Sequence, residues 1–179
     1  FELGLNHDDR HLNAVAMQTR LPNIEGAGGI DMAELFRAGL RMNPSRVIVG
    51  EVRGHEAVPM LHAMSQGDDG SLSTIHARSS QGVFKKLMLF GASCAERLDE
   101  KAMALLIAEA VDLVVHMDST IDGTRRVTSI REVCESHDAM VTSNELYRPD
   151  DHGQPQPHTP VSGRRATRLA RHGYPTTRR

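Results

Sequence analysis

The segment RVIVGEVRG, residues 46–54, constrains the fold more than any other part of this chain. Its β-branched run at residues 47–49 predicts a parallel strand that is buried on both faces. Gly50 and Glu51 follow at the carboxyl end of that strand, where open α/β sheets bind their ligands. The glycine lets a ligand approach the backbone, and the acid can orient a water or hold a metal-bound phosphate. A surface acid that merely follows a core strand is an equally good interpretation of this segment alone.

Composition narrows the class of protein without naming a partner. The net charge is −2 over 179 residues, so no global charge demands nucleic acid or a membrane surface. Cys94 and Cys134 lie far apart without metal-ligand spacing, which favours a reduced, cytosolic location. The sequence contains no signal peptide and no apolar run long enough to span a bilayer. Because the chain begins with Phe1 instead of Met, we expect further sequence upstream.

Strand-like and helix-like segments alternate as far as residue 110, which predicts an α/β fold with a mostly parallel sheet. Within it, Asp31 and Glu34 have the spacing of a capping box and predict a helix start. A short strand is expected at residues 13–19. Asp122 and Gly123 predict a turn between two antiparallel strands, placed as a hairpin on the edge of the sheet. Residues 1–148 are therefore expected to form one domain.

The composition changes after about residue 148. Residues 149–160 are rich in proline and residues 163–179 are rich in arginine, and no apolar period continues through either part. This pattern predicts a disordered tail over residues 149–179. The basic end is more typical of a solvated terminus than of a nucleic-acid site, so no specific nucleic acid is expected.

A second strand, in the segment SLSTIHARS at residues 71–79, ends at His76. If its strand lies parallel to the first, His76 and Glu51 project from the same sheet edge and can share one ligand. An imidazole there suits contact with a phosphate or a water, although a histidine that only caps a loop is the simpler interpretation. Four arginines could clamp a phosphate with their planar guanidinium groups or could simply be solvated, namely Arg20, Arg37, Arg41 and Arg53.

A metal site is a weaker possibility. His7 and His11 are four residues apart with two acids between them, a spacing that can bind a metal on a helix. His55 and His62 share one helix, where a solvent-facing position is the usual outcome. The sequence contains no G-x-x-x-x-G-K-[ST] loop, so none of its residues form the common phosphate cradle.

Together, five blocks in fixed order resemble the ATPases of type II and type IV secretion systems. The most similar group is the CpaF-type ATPases of tight-adherence (Flp) pilus assembly. The matching blocks are RLPNIEG at 20–26, LRMNPSRVIVGEVRG at 40–54, GDDGSLSTIHARS at 67–79, AVDLVVHM at 110–117 and GTRRVTSIREV at 123–133.

This resemblance implies the second half of a RecA-like P-loop NTPase motor domain. Such motors hydrolyse ATP with Mg²⁺ as cytosolic homo-hexamers, and they work with pilus or secretion platform proteins at the inner membrane to move pilin or other proteins. Glu51 would be the catalytic glutamate and His76 would lie near the γ-phosphate. Glu2 would hold Mg²⁺ or water. The four arginines would lie near the nucleotide or a neighbouring subunit.

Departures from the family pattern leave other functions open. The phosphate-binding loop is expected upstream of Phe1, so the isolated chain is expected to be inactive. Gly50 occupies a position where many NTPases have an acid, and His55 and Pro59 are unusual for the family. A non-hydrolysing interaction module, or degenerate hexamer subunit, is the main alternative. A metal hydrolase built on His7, His11 and His76 is a third hypothesis.

Overall fold

The computed structural model describes most of the chain, namely residues 13–67, 70–94, 98–119 and 123–173. The chain divides into two compact units, which are described one at a time. The first comprises residues 1–76 and 89–98, and the second comprises residues 77–88 and 99–179. Within the described ranges, no helix combines the length and the apolar character needed to cross a bilayer.

The first unit begins with a loop and a capped helix. Residues 13–19, predicted to be a strand, form no strand, and a single antiparallel bridge joins Arg20 to Ile30. Helix α1 (Met32–Leu40) starts as predicted. The Asp31 carboxylate accepts a hydrogen bond from the Glu34 amide at 2.7 Å, and the Glu34 carboxylate accepts one from the Asp31 amide at 3.0 Å. This reciprocal pair confirms the predicted capping box.

A parallel strand pair is the centre of the first unit. Strand β1 (Ile48–Val52) and strand β2 (Leu72–Ile75) are joined through helix α2 (Ala57–Met64) and pair in parallel. This is the βαβ connection that the alternation of segments predicts. Pro59 lies in the first turn of α2, where its missing amide proton breaks no intrahelical bond.

The prediction that β1 is buried on both faces is wrong for the described residues. Val49 is 6% exposed and Val52 is 1% exposed, but Ile48 is 38% exposed. The register shifts between Val49 and Val52, and this irregularity turns both valines toward the interior although they are three residues apart. Leu72, which pairs with Ile48 on β2, is also exposed. The described parallel sheet has only two strands, and all four residues of β2 are at least partly exposed.

The second unit is built on an antiparallel sheet of four strands. In spatial order they are β3 (Leu113–Ser119), β4 (Arg125–His137), β5 (Met140–Pro149) and β6 (Pro155–Pro157). Helix α4 (Glu100–Ala110) begins at Asp99, whose carboxylate accepts from the Ala102 amide at 2.7 Å, and it packs against β4 and β5. Helix α3 (Gly82–Ala92) starts in this unit and ends in the first. Helix α5 (Gly163–Ala170) follows β6 in the chain.

The predicted hairpin is present, but the predicted mostly parallel sheet is not. Strands β3 and β4 pair antiparallel as expected, and Gly123 adopts a φ of 80° just before β4. Asp122 lies outside the described residues. Strand β5 returns along β4 through a turn at Asp138 and Ala139, whose φ angles are 46° and 65°. That left-handed turn contains no glycine, so the sequence carries no hairpin signal there.

The predicted disordered tail is wrong for residues 149–173, which contain β6 and α5. The first part of the tail is attached to β5 by backbone hydrogen bonds. The His158 amide, for example, donates to the Leu146 carbonyl at 2.8 Å. Polar contacts hold the tail in place, and an apolar stripe is not needed for this. Its sequence therefore shows no apolar period.

The central contact of the docked tail is a buried carboxylate, Glu132, which is 0% exposed. It accepts hydrogen bonds from the Ser162 amide at 3.0 Å, the Ser162 hydroxyl at 2.6 Å and Arg165 Nη1 at 2.9 Å. Arg165 also donates to Asp112 Oδ1 at 2.6 Å and to the Val133 carbonyl at 2.8 Å. We refer to Asp112, Glu132, Ser162 and Arg165 as the tail clamp.

Burial alone would raise the pKa of the Glu132 carboxyl, but hydrogen bonds from Ser162 and Arg165 outweigh it and lower that pKa. A depressed pKa in the folded state means that the ionised carboxylate stabilises the fold. This contribution is present at neutral pH and is lost as the pH falls through the lowered pKa.

Replacing Arg165 with Met should strongly destabilise the second unit. The buried Glu132 charge would keep its Ser162 donors but lose its cationic partner. We expect a loss of about 3–5 kcal/mol in the free energy of unfolding, the range typical of a buried ion pair with one partner removed. Urea denaturation and hydrogen exchange of the α5 amides measure the effect.

Arg168→Met is the matched control, because the Arg168 side chain is 45% exposed and lies 3.7 Å from Asp112. Its cost should be below about 1 kcal/mol. Equal costs for the two variants would contradict the clamp.

Candidate functional site

The Glu51 carboxylate is the centre of the candidate site. Its Oε1 lies 3.2 Å from His76 Nε2, and its Oε2 accepts from Arg53 Nε at 2.7 Å and lies 2.5 Å from Arg53 Nη2. Glu51 belongs to β1 and His76 directly follows β2, so the parallel pairing brings both to one edge, as the sequence predicts. The structure thus joins three of the predicted site residues, Glu51, Arg53 and His76.

The three side chains differ in exposure. The Glu51 side chain is 23% exposed, whereas those of Arg53 and His76 are 79% and 86% exposed. The anion is therefore recessed, and two groups that can donate hydrogen bonds lie in front of it. This arrangement suits a ligand that is itself anionic and accepts from the arginine and the histidine. The carboxylate can also accept from a water molecule when one of its oxygens is not engaged by Arg53.

A glutamate that the sequence analysis missed fixes the turn after β1. Glu56 Oε1 accepts from the amides of Arg53 at 2.5 Å and Gly54 at 3.1 Å, and its side chain is 13% exposed. Glu56 occupies the N-cap position of α2, yet its carboxylate caps no helix amide and turns back to the preceding loop. A carboxylate just before a helix start was the available signal. A capping side chain normally accepts from amides inside the helix, whereas the Glu56 carboxylate accepts from amides that precede it. The capping rules therefore do not predict this contact.

Two polar contacts hold the strand ends in register behind the site. The Thr74 hydroxyl donates to the Gly50 carbonyl, and the Ser71 hydroxyl accepts from the Val47 amide at 3.0 Å. A Cβ added at Gly50 would meet no atom within 4 Å. Packing within the described chain therefore does not require glycine there, and close approach by a ligand stays a prediction.

The other predicted arginines lie elsewhere in the first unit. Arg20 Nε donates to the Gly28 carbonyl at 2.6 Å and so closes the loop before α1. Arg37 lies on α1 and Arg41 is its C-cap residue, and both side chains are exposed. The contacts found for Glu51 and His76 do not include these arginines.

The predicted metal ligands are mostly outside what the structure describes. Glu2, His7 and His11 all fall in residues 1–12. Within the described ranges, no group of three or more His, Cys, Asp or Glu side chains could hold a metal ion. The metal hydrolase hypothesis therefore stays untested.

Comparison with known proteins identifies the family. A family model described as type II/IV secretion system protein matches residues 10–167. The chain belongs to this family. A putative conjugal transfer protein of Mycobacterium tuberculosis is 36% identical over 121 residues, which are 68% of this chain and 34% of the relative. VirB11 of Agrobacterium fabrum is 36% identical over 95 residues, which are 52% of this chain and 28% of VirB11.

A solved structure agrees with these relatives. The VirB11 ATPase of the Brucella suis type IV secretion system, in complex with sulphate, matches with a TM-score of 0.53 and 31% identity, covering 56% of this chain and 31% of that chain. The chain spans about a third of the length of its relatives. The predicted secretion-system family is thus confirmed, while the finer CpaF-type assignment stays a prediction.

Replacing Glu56 with Ala should loosen the turn that carries Arg53. The Arg53 and Gly54 amides lose their acceptor, so we expect their hydrogen exchange to accelerate about tenfold, as for one hydrogen bond of ordinary strength. Amide exchange followed by nuclear magnetic resonance measures the change. Glu56→Gln keeps an acceptor oxygen and should show a smaller acceleration. Unchanged exchange in Glu56→Ala would contradict the role assigned to this carboxylate.

Proposed function

We propose that this chain is part of an ATP-hydrolysing motor of a secretion or pilus-assembly system. In that motor, Glu51 positions the attacking water and His76 contacts the γ-phosphate. The observation that carries the proposal is the 3.2 Å contact between Glu51 and His76 at the carboxyl edge of two parallel strands. It occurs in a chain that belongs to the type II/IV secretion system protein family.

The chemistry asked of each residue follows from its placement. The recessed Glu51 carboxylate can accept a hydrogen bond from water and hold it in line with a phosphorus atom. The exposed His76 imidazole and Arg53 guanidinium can donate to phosphoryl oxygens, where negative charge builds up during transfer. All three groups lie on one strand edge, so one phosphate can meet them together.

Mg²⁺ fits this proposal as a companion of ATP. Mg²⁺ in nucleotide sites is held mainly by phosphate oxygens, waters and one or two carboxylates, and it neutralises phosphate charge. The Glu51 oxygens already contact the Arg53 guanidinium and the His76 imidazole, so Glu51 suits water better than metal. Glu2 is the carboxylate that we propose for the ion.

The proposal extends to the assembly by analogy with the family. The motor would be a RecA-like, cytoplasmic homo-hexamer at the inner face of the plasma membrane, and it would act with platform proteins on pilin or another exported protein. Arg20, Arg37 and Arg41 would lie near the nucleotide or a neighbouring subunit. The order of the sequence blocks supports the CpaF type.

The isolated chain should not hydrolyse ATP above the level of its Glu51→Gln variant. Its residues include no G-x-x-x-x-G-K-[ST] loop, and triphosphate affinity depends on that cradle. In a polypeptide that adds such a loop upstream, we expect hydrolysis, and Glu51→Gln should lower kcat by about 10²–10⁴-fold.

Steady-state phosphate release measures both results. Glu135→Gln, at an exposed position on β4, is the control that should leave kcat unchanged. Full activity of Glu51→Gln in the longer polypeptide would contradict the proposed role of Glu51.

A non-hydrolysing interaction module is the second candidate. It is favoured by the exposed arginines Arg37 and Arg41, which could serve a neighbouring active subunit. Such a module should be retained by a full-length, ATP-hydrolysing member of the family in the presence of nucleotide, and Arg37→Gln with Arg41→Gln should weaken retention. A pull-down with and without Mg·ATP measures it. Equal retention without nucleotide would argue against the module.

A further inference from the structure

The acceptor capacity of Glu51 is largely used within the chain. A carboxylate offers about four lone-pair sites. Arg53 Nε donates to Oε2 at 2.7 Å, Arg53 Nη2 lies 2.5 Å from the same oxygen, and His76 Nε2 lies 3.2 Å from Oε1. Little capacity then remains to orient a water molecule. The arrangement seen here is therefore a poor one for the role proposed for Glu51.

We propose that Arg53 is a latch on Glu51, holding the carboxylate in a resting state until a phosphate group draws the arginine away. The idea rests on the proposed function, since it describes how that same site is regulated. Once the guanidinium pairs with the phosphate, Oε2 can accept a hydrogen bond from water. Glu51 would thus become competent only when its substrate is present.

The backbone of Arg53 is fixed while its side chain is exposed, which is what such a latch requires. Glu56 accepts from the amides of Arg53 and Gly54 and so holds the turn in place. The Arg53 side chain is 79% exposed and can change partner by rotating about its own bonds. The turn and β1 need not move when it does so.

The competition between the two acceptors favours a phosphate. Exposed pairs between arginine and a carboxylate are weak, because water screens them and the side chains lose entropy. A phosphate carries more charge and presents several oxygens to the planar guanidinium. The Glu51 carboxylate is recessed and keeps His76 as a neighbour, so losing Arg53 does not leave it without a nearby group that can donate a hydrogen bond.

The chain itself allows the test. In the ¹⁵N-labelled chain, the Arg53 Nε–Hε signal is assigned with Arg53→Lys and followed while inorganic phosphate is added at constant ionic strength. We expect a saturable shift of this signal. In Glu51→Gln the competing charge is gone, so phosphate should bind about two- to fivefold more tightly, the factor that an exposed ion pair corresponds to.

Two controls separate this from general charge effects. Potassium chloride at matched ionic strength should not reproduce the shift. The signal of Arg148, an exposed arginine on β5, should not saturate with phosphate. An Arg53 signal that ignores phosphate, or equal phosphate affinity in the wild-type chain and Glu51→Gln, overturns the latch.

The latch and the proposed function fail in distinguishable ways. Saturable displacement of Arg53, combined with an inactive loop-containing polypeptide, supports the latch and contradicts the ATPase. Hydrolysis that depends on Glu51, combined with no displacement of Arg53, supports the ATPase and overturns the latch.

Discussion

The parallel pairing of β1 with β2 is the constraint on which the candidate site depends. Parallel strands end at the same edge, so Glu51 and His76 meet although they are far apart in sequence. A slip of one residue would turn the side chains of one strand to the other face and separate the pair. The Ser71 and Thr74 hydroxyls oppose such a slip by bonding to the backbone of the β1 segment. Polar side chains in the second strand thus set the geometry of an acid in the first.

The site combines a rigid backbone with weakly held side-chain ends. Its strands and the turn after β1 are fixed by backbone hydrogen bonds and by Glu56, whereas the ends of Arg53 and His76 extend into solvent. Ion pairs between such exposed charges contribute little to stability, so the side chains can exchange one ionic partner for another. This division is common in proteins that bind anions. The backbone fixes where each hydrogen-bond donor is attached, and the ligand determines which hydrogen bonds the donors make.

The elements that the sequence predicted correctly are those that depend on the spacing of nearby residues and on strand direction. The Asp31 and Glu34 capping box, the β1–α2–β2 connection and the meeting of Glu51 with His76 all follow from spacing and strand direction. The pairing of β4 with β5 was missed because Ala139 adopts a left-handed conformation that usually marks glycine. Helix α5 was missed because its docking depends on Glu132, an ordinary-looking acid whose partners lie about thirty residues away. Contacts over such a distance leave no periodic pattern in sequence.

The tail clamp determines how far along the chain the second unit extends. Every strand of its sheet is complete by Pro157, so a cut just after β6 would look harmless on a topology diagram. Such a cut removes Ser162 and Arg165, which supply the hydrogen bonds to the Glu132 carboxylate that is buried in the intact unit. The smallest polypeptide that keeps this sheet intact therefore extends through α5, well past the point where the composition turns to proline and arginine.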